Sequence, residues 1–259
     1  MGELRRVLAA HLPGLPVESV RLLGEGQENV AYEVNESLVV RRRKRGSVVA
    51  EAAVLAAVAE VSPLPVPVPL FAEGEWMAYR KLPGAPLHRV GPRPSVVAAL
   101  TEFLAAVQAA DIPAPEDDPP LQEWLADAAA DYPALPVPEA FRRPVERFLA
   151  APPPAAGHRS VFSHNDLGVE HVLVDMATTG VTGVIDWTDA AWVDPAYDYG
   201  RLFRDLGPSA LAATPEPLRE RAVFYARCTA LEDLAYGVRG GHEVYARRSL
   251  ESMAWVFRV

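Results

Sequence analysis

Cysteine is almost missing from this chain: Cys228 is its single thiol among 259 residues. A lone cysteine excludes an internal disulfide framework and suits a reducing compartment. Also missing is any apolar run near the roughly 20 residues that cross a bilayer, which predicts no membrane-spanning helix. The stretch from Met1 to Val20 holds only a short apolar patch, interrupted by His11, Pro13 and Pro16, and predicts no secretory leader. Arg6 stands where a myristoylation signal carries a hydroxyl residue. A cytoplasmic location is the resulting expectation. Basic residues are in deficit: 25 Lys and Arg face 34 Asp and Glu, a net charge of −9. No internal repeat is present.

That deficit has a position. Residues 1–82 carry ten basic and ten acidic side chains, whereas residues 83–259 carry fifteen and twenty-four, so the whole imbalance lies in the second part. Acidic surfaces aid solubility in general, but this one also disfavours nucleic acid and favours a cationic small molecule as partner. What the chain does have is apolar content. Half of its residues are hydrophobic, enough to bury a sizeable core in one large domain or in two lobes sharing a cleft.

The pattern along the chain divides it in two. Leu4 to Leu12 is amphipathic and predicts a helix ending at Pro13-Gly14. Val17 to Leu23, Ala31 to Val34 and Ser37 to Arg41 predict three short strands, separated by a Gly-rich loop and an Asn-Glu turn. Val48 to Glu60 predicts a helix, Pro63 to Pro69 an extended connector, and Phe71 to Leu82 two more strands. Pro83-Gly84 marks the boundary between an N-lobe (1–82) and a C-lobe (83–259). Ser95 to Ala110, Leu121 to Ala130 and Glu139 to Ala150 predict helices of the second lobe. His171 to Asp175 and Val181 to Asp186 predict a hairpin turning through Thr178, Thr179 and Gly180. A helical tail follows from about Asp198, with breaks near Gly207-Pro208 and Gly240-Gly241. The expected fold class is α+β: a small β-rich lobe with one helix, then a larger, mainly helical one.

The chemistry concentrates in Ser163-His-Asn-Asp-Leu-Gly-Val-Glu-His171, with Gly183-Val-Ile-Asp-Trp187 on the partner strand. Closing the hairpin brings Asp166, His171 and Asp186 to one end. Phosphoryl transfer needs such a set: one carboxylate to receive a hydroxyl proton, and further groups to hold magnesium against nucleotide phosphates. A chance cluster of turn-forming aspartates is the bland alternative, and the apolar strands between the motifs argue against it.

This pattern resembles the catalytic loop and metal motif of protein kinases, and more closely those of the aminoglycoside and macrolide phosphotransferase family. Asp194-Pro-Ala-Tyr-Asp198 is similar to an element that follows the metal motif in that family, and the run 183–198 looks like its aminoglycoside 2''-phosphotransferase branch. The resemblance implies a two-lobed kinase-like fold, ATP or GTP as donor, and Mg2+. It implies that Asp166 deprotonates the acceptor and that Asp186 and His171 hold the metal. It also implies that Gly24, Gly26 and Asn29 form the phosphate-covering loop. Arg41 takes the place of the phosphate-binding lysine, Glu51 its ion-pair partner, and Met77 to Gly84, with Tyr79 and Lys81, the purine-binding hinge. Asn165 replaces the arginine that serves activation-loop control in protein kinases, so such control is not expected. His171 replaces the usual asparagine.

The implied substrate is a cationic antibiotic, an aminoglycoside or basic peptide, with Asp189, Glu232, Asp233 and Trp255 as its ligands. Asp198 is expected to cap its helix or brace the catalytic loop. The alternatives are a kinase of a macrolide, of an amino alcohol or of a ketosamine, and a pseudokinase that binds nucleotide as an interaction module. Neither a membrane nor a nucleic acid is an expected partner.

Overall fold

The computed structural model describes residues 2–258 apart from 27, 91–93, 156, 158 and 179. Gln27 of the Gly-rich loop and Thr179 of the expected hairpin turn thus lie outside the described residues. Helix α1 (Gly2–His11) precedes strands β1 (Val20–Glu25), β2 (Asn29–Val34) and β3 (Leu38–Arg43). Then come α2 (Val49–Val61), β4 (Pro69–Glu73) and β5 (Trp76–Arg80). The five strands form one antiparallel sheet in the order β1-β2-β3-β5-β4. Asn35 and Glu36, with φ of 51° and 56°, make the tight β2–β3 turn; two left-handed residues match the twist of a hairpin.

Strand alternation gives this sheet two different faces. Leu4 and Leu8, one helical turn apart, seat α1 against Val34, Leu38, Val40, Trp76 and Ala78 on one face. The paired triplet Ala31, Arg41 and Met77 points the other way, as do Glu33, Val39 and Tyr79. On that side Val39, Met77 and Tyr79 join Val54, Leu55 and Val58 of α2 in the main core, which continues into the C-lobe. The one charged residue of β3 that faces the cleft from its buried middle is therefore Arg41.

After the sheet the chain crosses at Gly84. Its φ is +103°, and a Cβ there would lie 2.7 Å from the Val174 carbonyl oxygen, so only glycine fits. The short strand β6 (Ala85–Pro86) then pairs with β8 (Val172–Val174), which pairs with β9 (Val181–Val184). The connector before β4 docks on the same hairpin, with Val184 N–H donating to the Pro65 carbonyl at 2.9 Å. Helices α3 (Pro94–Gln108), α4 (Leu121–Asp131) and α5 (Glu139–Ala150) lie between β6 and β7 (Val161–Ser163). Strand β10 (Ala191–Val193) pairs with β7, and α6 (Tyr197–Leu206), α7 (Pro208–Ala213), α8 (Arg219–Gly240) and α9 (Glu243–Val256) complete the chain. Gly200 lets α6 approach α8 closely, since a Cβ there would sit 2.7 Å from the Ala222 carbonyl oxygen. Among the described residues no helix is long and apolar enough to cross a membrane.

The expected hairpin strands are shortened at the functional end. β8 begins one residue after His171, and β9 stops at Val184 instead of running to Asp186. The cause is backbone geometry: Asp186 is left-handed, at φ 64°, and leaves the ladder. The β7–β10 pair went unread because three-residue strands are too short for alternation to show.

Candidate active site

The loop after β7 carries the first half of the site. Its tight path depends on Asn165, left-handed at φ 63°, a conformation asparagine tolerates better than most residues. Asn165 Nδ2 also donates to Asp117 at 2.8 Å. From α6, the fully buried Asp198 gathers the loop. One carboxylate oxygen accepts from Ser163 Oγ at 2.6 Å and Asn165 N at 2.9 Å, and the other from Leu167 N at 3.1 Å. Asp198 thus braces the loop, as one of the two expected roles had it. Buried His164 ties the two motifs together: its Nδ1 accepts from Asp166 N at 3.3 Å and its Nε2 donates to the Ile185 carbonyl at 3.1 Å. Burial lowers its pKa, which favours the neutral ring that this pairing requires.

Removing the Asp198 brace strands two buried donors, Ser163 Oγ and Leu167 N, and the part-buried Asn165 N, and each buried unsatisfied group costs about 1–3 kcal/mol. Asp198→Ala is expected to lower unfolding free energy by about 3 kcal/mol or more, measured by urea denaturation. A loss below about 1 kcal/mol would show that the loop holds itself.

The second half of the site is Asp186, whose strained backbone turns its carboxylate out of the strand. His171 stands between the two aspartates. Its Nδ1 donates to the Asp166 carbonyl at 2.8 Å and lies 3.4 Å from the Asp166 carboxylate, while Nε2 lies 3.8 Å from Asp186 Oδ2. Burial works against a charged His171, but Asp166, Glu170 and Asp186 outweigh it and raise its pKa. For Asp186, burial is likewise overcome by His171 and Arg41, which hold its carboxyl below the usual range.

Arg41 enters from the sheet, buried, with Nη1 on Glu51 at 2.5 Å. Its Nη2 donates to Thr188 Oγ1 at 2.8 Å and lies 3.8 Å from Asp186. Thr188 in turn donates to Asp186 Oδ1 at 3.1 Å, so one hydroxyl joins the arginine of one lobe to the aspartate of the other. Asn29 reaches the same hydroxyl at 3.5 Å. Tyr79 lies on the same face of the sheet, and burial pushes its phenol up to about 12.

Parts of the expected nucleotide set are otherwise engaged. Gly26 N–H donates to the Asn29 carbonyl at 2.9 Å, closing the loop on itself, and Lys44 caps the Gly26 carbonyl at 2.8 Å. A phosphate therefore has no free Gly26 amide; Gly24, within β1, has open space where a side chain would stand. Lys81 is corrected as well: its ammonium pairs with buried Glu33, and its amide donates to the Ser37 carbonyl at 2.9 Å. Glu33, unnoticed in the sequence, thus anchors both Lys81 and Arg21 at this edge of the cleft.

The expected acceptor ligands separate into two groups. Asp189 belongs to the site: lost hydration first, then the charges of Asp166 and Asp186, raise its pKa. Glu232 lines a cavity of about 590 Å³ between α4 and α8, with Trp124, Asp127, Asp131 and Tyr236. Asp233 is not free, because Arg204 holds it at 2.8 Å. Trp255 does not cap a pocket; its indole N–H donates to the Phe203 and Arg204 carbonyls, both at 3.0 Å, and closes the end of α6. One residue the sequence did not flag reaches the centre: Arg201 Nη2 donates to Asp166 Oδ1. The only signal for it was its place one turn after Asp198.

No group of three or more His, Cys, Asp or Glu side chains poised for a metal occurs among the described residues. Magnesium does not require one, since it keeps waters and phosphate oxygens and needs only one or two carboxylates. Asp186 offers such an oxygen, and the Nδ1–H bond of His171 leaves Nε2 facing it. The donor set fits magnesium brought in with a nucleotide.

The model of the phosphotransferase enzyme family (APH) matches residues 19–233. No curated protein matches the chain. Among solved structures, the GDP and kanamycin complex of APH(2'')-IIIa superposes with a TM-score of 0.74 at 22% identity, over 98% of each chain. Macrolide 2'-phosphotransferase MphH from Brachybacterium faecium gives 0.68 at 22% identity, again over 98% of each. A choline/ethanolamine kinase family protein from Mesorhizobium loti gives 0.65 at 19%, over 100% of this chain and 95% of that one. These likenesses establish the two-lobed kinase-like fold.

Proposed function

The chain belongs to the phosphotransferase enzyme family, and from that premise we propose that it moves the terminal phosphoryl group of ATP or GTP to a hydroxyl of a small cationic molecule, an antibiotic such as an aminoglycoside or basic peptide. The observation that carries this reading is the convergence of Arg41, Asp186, His171 and Asp166 in one chain of contacts across the cleft. Residues 1–82 hold the nucleotide in this reading, and residues 83–259 supply the loop, the metal ligands and the acceptor site. Arg41, fixed by Glu51, binds phosphate oxygens with a permanent charge. Asp186, with His171 beside it, would hold magnesium, which would supply charge neutralisation at the nucleotide phosphates. Asp166 orients the acceptor hydroxyl and takes its proton as the new oxygen–phosphorus bond forms and the bond to the nucleoside diphosphate breaks. The cytoplasm, where the nucleotide is abundant, is the matching location, and resistance to the antibiotic is the matching outcome.

The cavity beside Glu232 supports a cationic acceptor: Asp131 there is taken by Arg239, but Asp127 and Glu232 line it together with Trp124 and Tyr236, whose rings also attract cations. Nucleotide consumption should therefore rise with polycationic hydroxyl compounds and stay flat with neutral macrolides or sugars. Glu232→Gln is expected to raise KM for such an acceptor about tenfold, the size of one charge-assisted hydrogen bond. The increase should shrink at high salt. Selective turnover of neutral compounds, with a KM indifferent to salt, would redirect the reading to a macrolide or sugar kinase.

A further inference from the structure

We infer that Arg201 is the positioning residue of the catalytic loop: it orients the Asp166 carboxylate and cancels its charge, so that the acceptor presents a hydroxyl there and not an ammonium. This inference rests on the phosphotransfer reading above.

Three observations carry it. Arg201 is only 6% exposed, and such a charge is not buried without a partner. Its fork is divided, with Nη2 on Asp166 Oδ1 and Nη1 on the Tyr197 hydroxyl at 3.3 Å, while the guanidinium carbon lies 5.9 Å from the Tyr197 ring centre. Tyr197 is itself held by Trp124 and Tyr225, with ring centres 5.2 Å away in both cases, so the arginine sits on a rigid support. The second Asp166 oxygen lies 3.4 Å from His171 Nδ1. The proton of that nitrogen goes to the Asp166 backbone carbonyl, so among the described side chains Arg201 is the one that hydrogen-bonds the carboxylate and restricts its rotation.

The need for such a device follows from the surroundings. Asp186 and Asp189 make this side of the cleft acidic: burial first, then the charges of Asp166 and Asp186, raise the Asp189 pKa, and Asp166 is also among the charges that raise that of Glu232. A polycation entering that field places ammonium groups on the most exposed free carboxylates. An unpartnered Asp166 would compete for one of them, and a base that is bound to an ammonium cannot take a hydroxyl proton. Pairing Asp166 with a buried arginine removes the competition while leaving the carboxylate side chain 29% exposed toward the cleft. Helix α6 then does two jobs one turn apart: Asp198 sets the backbone of the loop and Arg201 sets its reacting side chain.

The test compares wild type, Asp166→Ala, Arg201→Met and Arg201→Lys with ATP and GTP as donors. The acceptor is the compound that the panel identifies, or water (nucleotide hydrolysis) if none is turned over. Arg201→Met keeps side-chain volume, and its kcat is expected to fall on the order of 10²-fold, as for a misplaced catalytic group. Acceptor KM should stay constant or decrease, because an ammonium now binds unproductively at Asp166, and nucleotide Kd should not change. Arg201→Lys, which keeps the charge but cannot span Asp166 and Tyr197 together, should recover only about a tenth of wild-type kcat. A merely structural role predicts the opposite split, with weaker binding and a lower Tm at unchanged kcat. Wild-type kcat in Arg201→Lys, or in a folded Arg201→Met, overturns the inference while leaving the phosphotransfer reading intact. An Asp166→Ala enzyme as active as wild type overturns that reading, and this inference with it.

Discussion

Asp166→Asn is expected to lower turnover by about 10²–10⁴-fold, the usual contribution of a positioned general base, with little change in nucleotide affinity. The substitution keeps the size of the side chain and one oxygen for Arg201 Nη2, so the loop retains its shape. Its backbone supports are untouched, since the amides on either side bond to Asp198 and its own amide to His164. What disappears is the ability to accept the hydroxyl proton. Equal falls in kcat and kcat/KM would mark an interaction made only in the transition state. Near-normal turnover would remove Asp166 from the mechanism and favour a nucleotide-binding pseudokinase instead.

Asp186→Ala should abolish magnesium-dependent transfer, and excess chelator should do the same to the wild-type enzyme. Two effects combine. The metal loses the carboxylate oxygen that the site offers it, and Arg41 and His171 lose the negative charge they face at 3.8 Å. Arg41 keeps Glu51 and Thr188, so nucleotide binding without metal should survive in part. His171→Ala separates two roles. If His171 only orients the site through its bond to the Asp166 carbonyl, transfer falls less than in Asp186→Ala. Complete loss in both would make His171 a ligand of the metal. Metal titrations of nucleotide binding, followed by calorimetry, read this difference without any acceptor.

The motif segments were legible in the sequence because their chemistry is local. Asp166, His171 and Asp186 fall within 21 residues on one hairpin and its leading loop, so turn chemistry alone brings them together. Arg41 was legible for a related reason, since alternation along a short apolar strand sends Arg41 to one face and Arg42 to the other. Arg42 indeed pairs with Glu75 and Glu3 on the far face, away from the cleft. Asp198 was legible only as far as two roles, a helix cap or a brace of the loop, and its bonds to the loop decide for the brace. Arg201 was not, because its partner lies 35 residues earlier and only the packing of α6 across the loop joins them.

The acceptor side shows the opposite limit. Glu232 and Asp233 are neighbours in sequence, and nothing local distinguishes them. Helix geometry separates them by about 100° around the axis, so Glu232 faces the cavity beside α4 while Asp233 turns to Arg204 of α6. Trp255 fails as a pocket wall for the same kind of reason, as its indole N–H is spent on the Phe203 and Arg204 carbonyls at the end of α6. Lys81 and Gly26 were read as nucleotide contacts from position alone, yet Glu33, Ser37 and Asn29 already occupy their polar atoms.

The sequence by itself determined the two-lobed α+β architecture, the order of the main elements, the location of the charge deficit, and the hairpin with the loop that leads into it. These depend on periodicity, turn residues and proline, whose effects act within a few residues along the chain. Tertiary structure alone decided which polar groups are free to do chemistry and which are consumed in support. That choice depends on partners brought from distant segments: Asp198 beneath the loop, Arg201 against Asp166, Thr188 between Arg41 and Asp186, and Arg204 on Asp233. A buried polar group must find a partner wherever the fold supplies one, and the identity of that partner is a property of packing, not of the neighbouring sequence.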